Sequence, residues 1–347
     1  MSFQGGDMDL ELYRAMLLKE STSGTERELA EQLAVKLCEN TGCHVKKMEV
    51  GDGTLNLLFS WGRPWVYFCT HLDTVPPYTP PVFESLDNGD VKITGRGSCD
   101  AKGQIFAMYS ACRQLEHEGY THFGLLLLAG EETGSFGAKA FTRQEDGGEW
   151  VIVGEPTCNK MVSASKGTKA FDITILGKSC HSGYPDRGVS AVERFVDFIN
   201  ELRSVVFPVD ELMGATTYNV GKLESCNPQN VLSDRVHFRL YFRTTQASDD
   251  CVVKVLGDMA SEHIIIKALG GDTPMSYLTL PGFDTTTVAF GSDAPRLSRF
   301  KHRSMCGPGS ILVAHRDDEC VLLSELEKAR DQYVAMVKKF FSKTSPL

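Results

Sequence analysis

The stretch Phe68-Cys69-Thr70-His71-Leu72-Asp73, followed by Gly95-Arg96-Gly97-Ser98-Cys99-Asp100-Ala101-Lys102-Gly103, decides the fold. Residues 65–69 form an apolar run of strand character. His71 therefore falls at a strand's carboxyl end, where open α/β sheets place their ligand sites. Asp73 has the chemistry of the carboxylate that takes a ligating imidazole's second N–H and fixes its tautomer. Asp100 stands in a glycine-rich turn before an apolar helix over residues 104–115. A plain loop histidine and an N-cap aspartate account equally well for either residue alone.

Upstream, residues 7–19 carry apolar positions at helical spacing, and Ser23-Gly24 breaks the pattern. Thr25-x-x-Glu28 reads as a capping box opening a helix to about Cys38. Residues 45–50 and 55–61 read as strands. Residues 74–81 hold Pro76, Pro77, Pro80 and Pro81, which makes a stiff extended loop. A short strand over 91–94 precedes the apolar helix.

Downstream, residues 123–129 are a continuous apolar run, as expected of a central strand buried on both faces. It ends in Gly130-Glu131-Glu132-Thr133-Gly134, and the next strand, 150–153, ends in Gly154-Glu155-Pro156-Thr157. Adjacent buried carboxylates without a cation raise each other's pKa steeply. The alternative is a solvated loop before a helix N-terminus, which favours acidic residues. Strands alternating with helices predict an α/β fold, a mixed sheet with helices on both faces.

The texture changes at Gly167. Strands are expected over 168–176, 216–223, 235–244 and 263–268, with helices over 190–202 and 249–261. This reads as an inserted α+β domain with an antiparallel sheet and two helices. Strands over 286–290 and 303–306 and a helix over 324–340 return to α/β character. The expected division is a discontinuous catalytic metal-binding domain, 1–166 and 280–347, and an inserted lid or dimerisation domain, 167–279.

Composition sets the remaining bounds. A chain of 347 residues is long for one core. A net charge of −9 argues against a nucleic-acid partner, which needs a basic face. Eleven cysteines without a C-x-x-C pair suggest neither a disulfide framework nor a zinc knuckle, and fit the thiols of a reducing cytoplasm. No apolar run is long enough for a bilayer. Residues 1–6 lack signal-peptide character and read as a disordered lead-in. A cytoplasmic location is expected.

His71, Asp100, Glu132, Glu155 and His315 together offer two imidazoles and three carboxylates, the inventory of a two-metal site with one shared carboxylate. Nitrogen and oxygen donors without thiolate suit two divalent ions, zinc first, with cobalt or manganese possible. The motifs around these residues, with Ala314-His315 and Asp318-Glu319, resemble the zinc aminoacylase, carboxypeptidase and acetylornithine deacetylase family over nearly the whole chain. The resemblance implies that Asp100 bridges two metals. It gives His71 and Glu155 to one metal, and Glu132 and His315 to the other. Asp73 would orient His71, and Glu131 would be the general base and acid beside a di-zinc-bound hydroxide.

The resemblance also implies a homodimer through the inserted domain, with His181 reaching across it to stabilise the oxyanion. Asn230 and Arg243 would contact the substrate, and the backbone of Gly307-Pro308-Gly309-Ser310 would approach its carboxylate. A turn histidine, a solvated edge charge and an ordinary tight turn are the competing readings. Glu155, as a glutamate, points within the family to deacylases and carboxypeptidases. The run from Cys306 to His315, with Asp317-Asp318-Glu319, is most similar to acetylornithine deacetylase, an enzyme of arginine biosynthesis, and the related acyl-lysine deacetylase, whereas Gly291-Ser292-Asp293-Ala294-Pro295 departs from that group's threonine–glutamate form. The expected function is therefore removal of an acetyl or succinyl group from an amino acid. The alternatives are a dipeptidase or carboxypeptidase on the same scaffold, and a non-catalytic small-molecule binder.

Overall fold

The computed structural model describes residues 8–51 and 53–344. The lead-in expected at residues 1–6 lies outside them. The chain divides into two compact units. The first comprises Met1–Ser163, Tyr277–Thr286 and Ser292–Leu347, and the second Ala164–Ser276 and Thr287–Gly291. Residues 287–291, expected in the catalytic domain, group with the second unit. The reason is local: Lys166 N donates to the Val288 carbonyl at 2.9 Å, and residues 164–166, also expected in the catalytic domain, group with the second unit too.

In chain order the first unit opens with α1 (Leu10–Leu18), α2 (Arg27–Lys36), β1 (His44–Gly51), β2 (Thr54–Trp61) and β3 (Val66–His71). A small β4 (Val82–Ser85) and β5 (Val91–Thr94) precede α3 (Lys102–His117), β6 (Phe123–Leu128), α4 (Phe136–Gln144) and β7 (Trp150–Val153). Next come β8 (Met161–Ser165), β9 (Gly167–Leu176), α5 (Ala191–Ser204), β10 (Thr217–Glu224) and β11 (Arg235–Thr244). They are followed by α6 (Asp249–Met259), β12 (Ile264–Gly270), β13 (Met275–Ser276) and β14 (Thr285–Val288). The chain closes with β15 (His302–Met305), β16 (Cys320–Leu322) and α7 (Leu323–Thr344).

The main sheet has the order β1-β2-β6-β3-β7-β15. Its first three strands pair antiparallel, while β3 runs parallel to β6 and β7, and β15 parallel to β7. Every residue of β3, β6 and β7 is buried, which explains their unbroken apolar sequence. Side chains alternate across the sheet. Leu57, Phe59, Phe68, Leu125, Leu127 and Ile152 share one core with α1, α2, α3 and α7. On the other face Phe141 of α4 stacks on Phe300, which meets Tyr67 edge-on. The fold is thus a mixed sheet with helices on both faces. Of a second small sheet, β16-β5-β4, the sequence showed only β5; β4 and β16, of four and three residues, were not legible in it.

The second unit is built on the antiparallel sheet β10-β11-β9-β12. Phe171, Ile173 and Ile175 of β9 alternate inward with Phe238, Leu240 and Phe242 of β11, and α5 and α6 close that face with Phe198, Leu202, Val252 and Leu256. The α+β insertion is present as read. The strand over 285–288 does not join the main sheet as expected; it belongs to a three-stranded sheet, β13-β8-β14.

The capping box expected at Thr25 does not form. The N-cap of α2 is Glu26, without a side-chain capping bond. Thr25 Oγ1 instead donates to the Thr22 carbonyl at 2.7 Å, and Glu28 pairs with Lys19. No helix among the described residues is long and apolar enough to cross a membrane.

Candidate metal centre

The carboxyl ends of β3, β6 and β7 lie side by side in the sheet, so the residues just past them converge. Thr70 Oγ1 donates to the Gly154 carbonyl at 3.0 Å, which ties the end of β3 to that of β7. At the end of β6 the buried Asn56 accepts from Ala129 N at 3.0 Å and donates to the Gly137 carbonyl at 2.9 Å. Asn56 thereby fixes both ends of the loop that carries Glu131 and Glu132.

Five of the expected ligands meet here. His71, Asp100 and Glu155 place one donor atom each within 4.8 Å of one another, and so do Asp100, Glu132 and His315. Asp100 is common to both groups through different oxygens. Its Oδ1 lies 3.1 Å from His71 Nε2 and its Oδ2 3.3 Å from His315 Nε2. His315 Nε2 is also 2.8 Å from Glu132 Oε1. Glu131 forms a third group with His71 and Glu132, so its carboxylate faces the same space. His315 is held with a positive φ of 62°, a strained conformation for a residue with a Cβ.

This donor set fits divalent ions. Bonds of about 2.0–2.2 Å to a tetrahedral ion put neighbouring donors about 3.4 Å apart, close to the separations seen here. The charge balance points the same way. Burial lifts the Glu155 and Glu131 carboxyls well above the ordinary carboxylate range, and Asp100 adds to both. Burial pushes His71 down, yet the carboxylates of Asp100 and Asp73 outweigh it and hold the imidazole well above its usual value. His315 is raised to about 10, chiefly by its bonds to Asp100 and Glu132. Two imidazoles facing this many carboxylates leave negative charge that cations would compensate.

The surroundings differ in part from the sequence reading. His71 Nδ1 is 3.0 Å from the backbone carbonyl of Asp73 and 3.3 Å from its carboxylate, so the shorter contact is to the main chain. The Asp73 carboxylate serves mainly as an acceptor hub. It takes Glu131 N at 3.0 Å, Glu132 N at 3.2 Å and Ser23 Oγ at 2.6 Å.

Of the Asp318-Glu319 pair only Glu319 turns inward. Its Oε1 accepts from the amides of Cys99 and Asp100, both at 2.9 Å, and its Oε2 pairs with Arg96 at 2.7 Å. Asp318 is exposed and pairs with Arg316.

Gly307 is buried and does not offer its backbone to a ligand. Its N–H is spent on Thr157 Oγ1 at 2.9 Å, and its carbonyl accepts from Asn159 N at 2.8 Å. It packs behind Glu155: an added Cβ would lie 2.0 Å from Gln104 Oε1 and 2.6 Å from the Glu155 carbonyl. Ser310 is half-buried, and its Oγ accepts from Leu312 N at 3.2 Å.

His181, Asn230 and Arg243 all lie in the second unit. The first two are exposed on paired segments, with Ser182 N donating to the Asn230 carbonyl at 2.9 Å. Arg243, on β11, lies over the Tyr241 ring at 4.9 Å.

Sequence reading missed Ser23, Glu26 and Asp293. Asp293 is 2 % exposed, with no well-formed hydrogen bond to either oxygen, and burial lifts its carboxyl to about 7. Its one signal was the departure of Gly291-Ser292-Asp293 from the expected motif.

A sheet whose strand ends gather two histidines and a ring of carboxylates defines a metallohydrolase. The chain belongs to Peptidase family M20/M25/M40, which matches residues 67–339. It is 32% identical over 375 residues to a probable carboxypeptidase of Emericella nidulans, covering 94% of this chain and 88% of that one. Among solved structures it is similar to a tripeptidase from Staphylococcus aureus, with TM-score 0.79, 18% identity and coverage of 96% and 99%. It is also similar to a dinuclear metal binding peptidase of Bacillus subtilis, with TM-score 0.70, 12% identity and coverage of 97% and 98%.

Proposed function

We propose that the protein is a metal-dependent carboxypeptidase that removes the C-terminal residue of short peptides. The observation that carries the metal-dependent hydrolysis is the pair of donor groups sharing Asp100, with Glu131 beside them. The curated relative named a probable carboxypeptidase and the solved structure titled a tripeptidase support a peptide substrate over an acylated amino acid. The acetylornithine deacetylase reading has no such support.

His71 and Glu155 would hold one divalent ion, Glu132 and His315 a second, with Asp100 between them. Zinc is the proposed metal, on the strength of nitrogen and oxygen donors alone. When bound, the ions would polarise the scissile carbonyl and acidify the attacking water. Glu131 takes the proton from that water at its carboxylate and delivers it to the departing amine nitrogen. Burial lifts the Glu131 carboxyl above the usual carboxylate range, and bound cations would oppose that shift and keep it able to accept the proton. Asp73 holds the amides of Glu131 and Glu132 so that the two adjacent acids keep separate roles.

Arg243 is proposed to take the substrate's terminal carboxylate through its planar fork. Asn230 is proposed as a further substrate contact, and His181 is proposed to act in a homodimer, stabilising the oxyanion at a partner's centre.

The test is a substrate panel on zinc- and cobalt-loaded protein. It compares dipeptides, their C-terminal amides, and N-acetyl and N-succinyl amino acids. Preferred cleavage of free-carboxyl dipeptides is expected. Preferred turnover of N-acetylornithine would overturn the proposal.

A further inference from the structure

The segment between α1 and α2, Ser21 to Glu26, reads in the sequence as a helix break at Ser23-Gly24 and a capping box at Thr25. In the structure it lies along the chain just after Asp73. Thr74 N donates to the Ser21 carbonyl at 3.0 Å, and Ser23 N to the Thr74 carbonyl at 3.2 Å. Two side chains of the segment then reach the centre. Ser23 Oγ donates to Asp73 Oδ2 at 2.6 Å, the same oxygen that accepts from Glu132 N at 3.2 Å. Glu26 is 0% exposed, and its oxygens face the N–H groups of Gly24 and Gly130 without a short, straight bond to either. Gly130 immediately precedes Glu131 and has a positive φ of 66°.

We infer that Ser23 and Glu26 are positioning residues that latch the Glu131–Glu132 loop, one through Asp73 and the other through the backbone at Gly130. Each works on a different end of the same short segment. Ser23 fixes the rotamer of the acceptor that holds both glutamate amides. Glu26 packs its buried carboxyl group behind the N–H that leads into them. A hydroxyl-to-carboxylate bond of 2.6 Å is charge-assisted and among the stronger hydrogen bonds a protein makes. Without it Asp73 can rotate, and the general base moves with it. A displacement of the base by a fraction of an ångström lowers the rate more than the binding. The inference rests on the peptidase reading only for the meaning of Glu131's task.

The test uses Ser23→Ala, Ser23→Thr and Glu26→Gln in the full chain. It reads amide exchange at residues 130–135 with and without zinc, together with kcat and KM on a dipeptide. Ser23→Ala is expected to speed exchange of the Glu131 and Glu132 amides and to lower kcat about tenfold to a hundredfold, with KM within about twofold. Ser23→Thr, which keeps the hydroxyl, restores both. Glu26→Gln is expected to speed exchange at Gly130 and to lower kcat in the same sense. Unchanged exchange in Ser23→Ala and Glu26→Gln, or a Thr variant as impaired as Ala, would overturn the latch. Should the wild-type protein cleave no peptide, the peptidase reading falls, and the exchange data alone still decide the latch.

Discussion

Glu131 and Glu132 are neighbours with the same side chain and different surroundings. The Glu132 carboxylate meets His315 at 2.8 Å, while burial, before any neighbour, lifts Glu131. Glu131→Gln is expected to keep two metal ions per chain by elemental analysis and to lose roughly 10²–10⁴-fold in kcat. Loss of an ion from that variant would make Glu131 a ligand, as its place in the His71–Glu132 group allows. Glu319 acts at one remove, and its pair with Arg96 is sealed, at 1% and 0% exposure. Glu319→Ala strands the guanidinium and frees two amides, so it is expected to cost about 3–5 kcal/mol in urea unfolding. Asp318→Ala should leave the unfolding midpoint unchanged, since Asp318 is exposed and pairs with Arg316 at the surface. The five candidate donors were legible because each stands at or near the end of an apolar run or inside a glycine-rich turn. The choice between Asp318 and Glu319 was not, because a coil carries no periodicity to say which neighbour turns inward. Ser23 was hidden for a second reason: its acceptor is 50 residues away.

At the scale of elements, apolar pattern placed the main strands and most helices within a few residues. β3, β6 and β7 are buried throughout, and β9 and β11 alternate, so each announced its surroundings. What was not legible were β4, β8, β16 and the nine-residue α4, and contacts competing with a local motif, as at Thr25. Two glycines test the packing of elements in opposite directions. Gly307 lies on the loop after β15, against Gln104 and the Glu155 backbone. Gly307→Ala is expected to destabilise by about 1–3 kcal/mol through overpacking and to weaken metal binding as Glu155 shifts. Gly257 lies within α6, where an added Cβ meets nothing within 4 Å. Gly257→Ala is expected to stabilise by about 0.4–1 kcal/mol by restricting the unfolded chain. Thermal or urea melts of the two variants, moving apart from the wild type, check both.

At the scale of the molecule, every residue of the three donor groups belongs to the first unit, although the chain leaves that unit and returns to it between Glu155 and His315. Metal binding therefore closes a long excursion of chain, and its free energy adds to the stability of the unit that supplies the donors. A ligand held at a hundred times its dissociation constant stabilises the native state by about 2.7 kcal/mol. The second unit has its own core, built from Phe171, Phe198, Phe238, Phe242 and Leu256, and contributes no donor to these groups. Chelation is therefore expected to act unevenly. Amide exchange should accelerate in β3, β6, the loop to Glu132 and the turn at Asp100, and stay constant in β9, β11 and α5. Exchange followed by peptide mapping before and after chelator treatment gives the answer directly. A uniform acceleration across both units would mean that the ions support the whole chain, and that the second unit's core does not hold its sheet by itself.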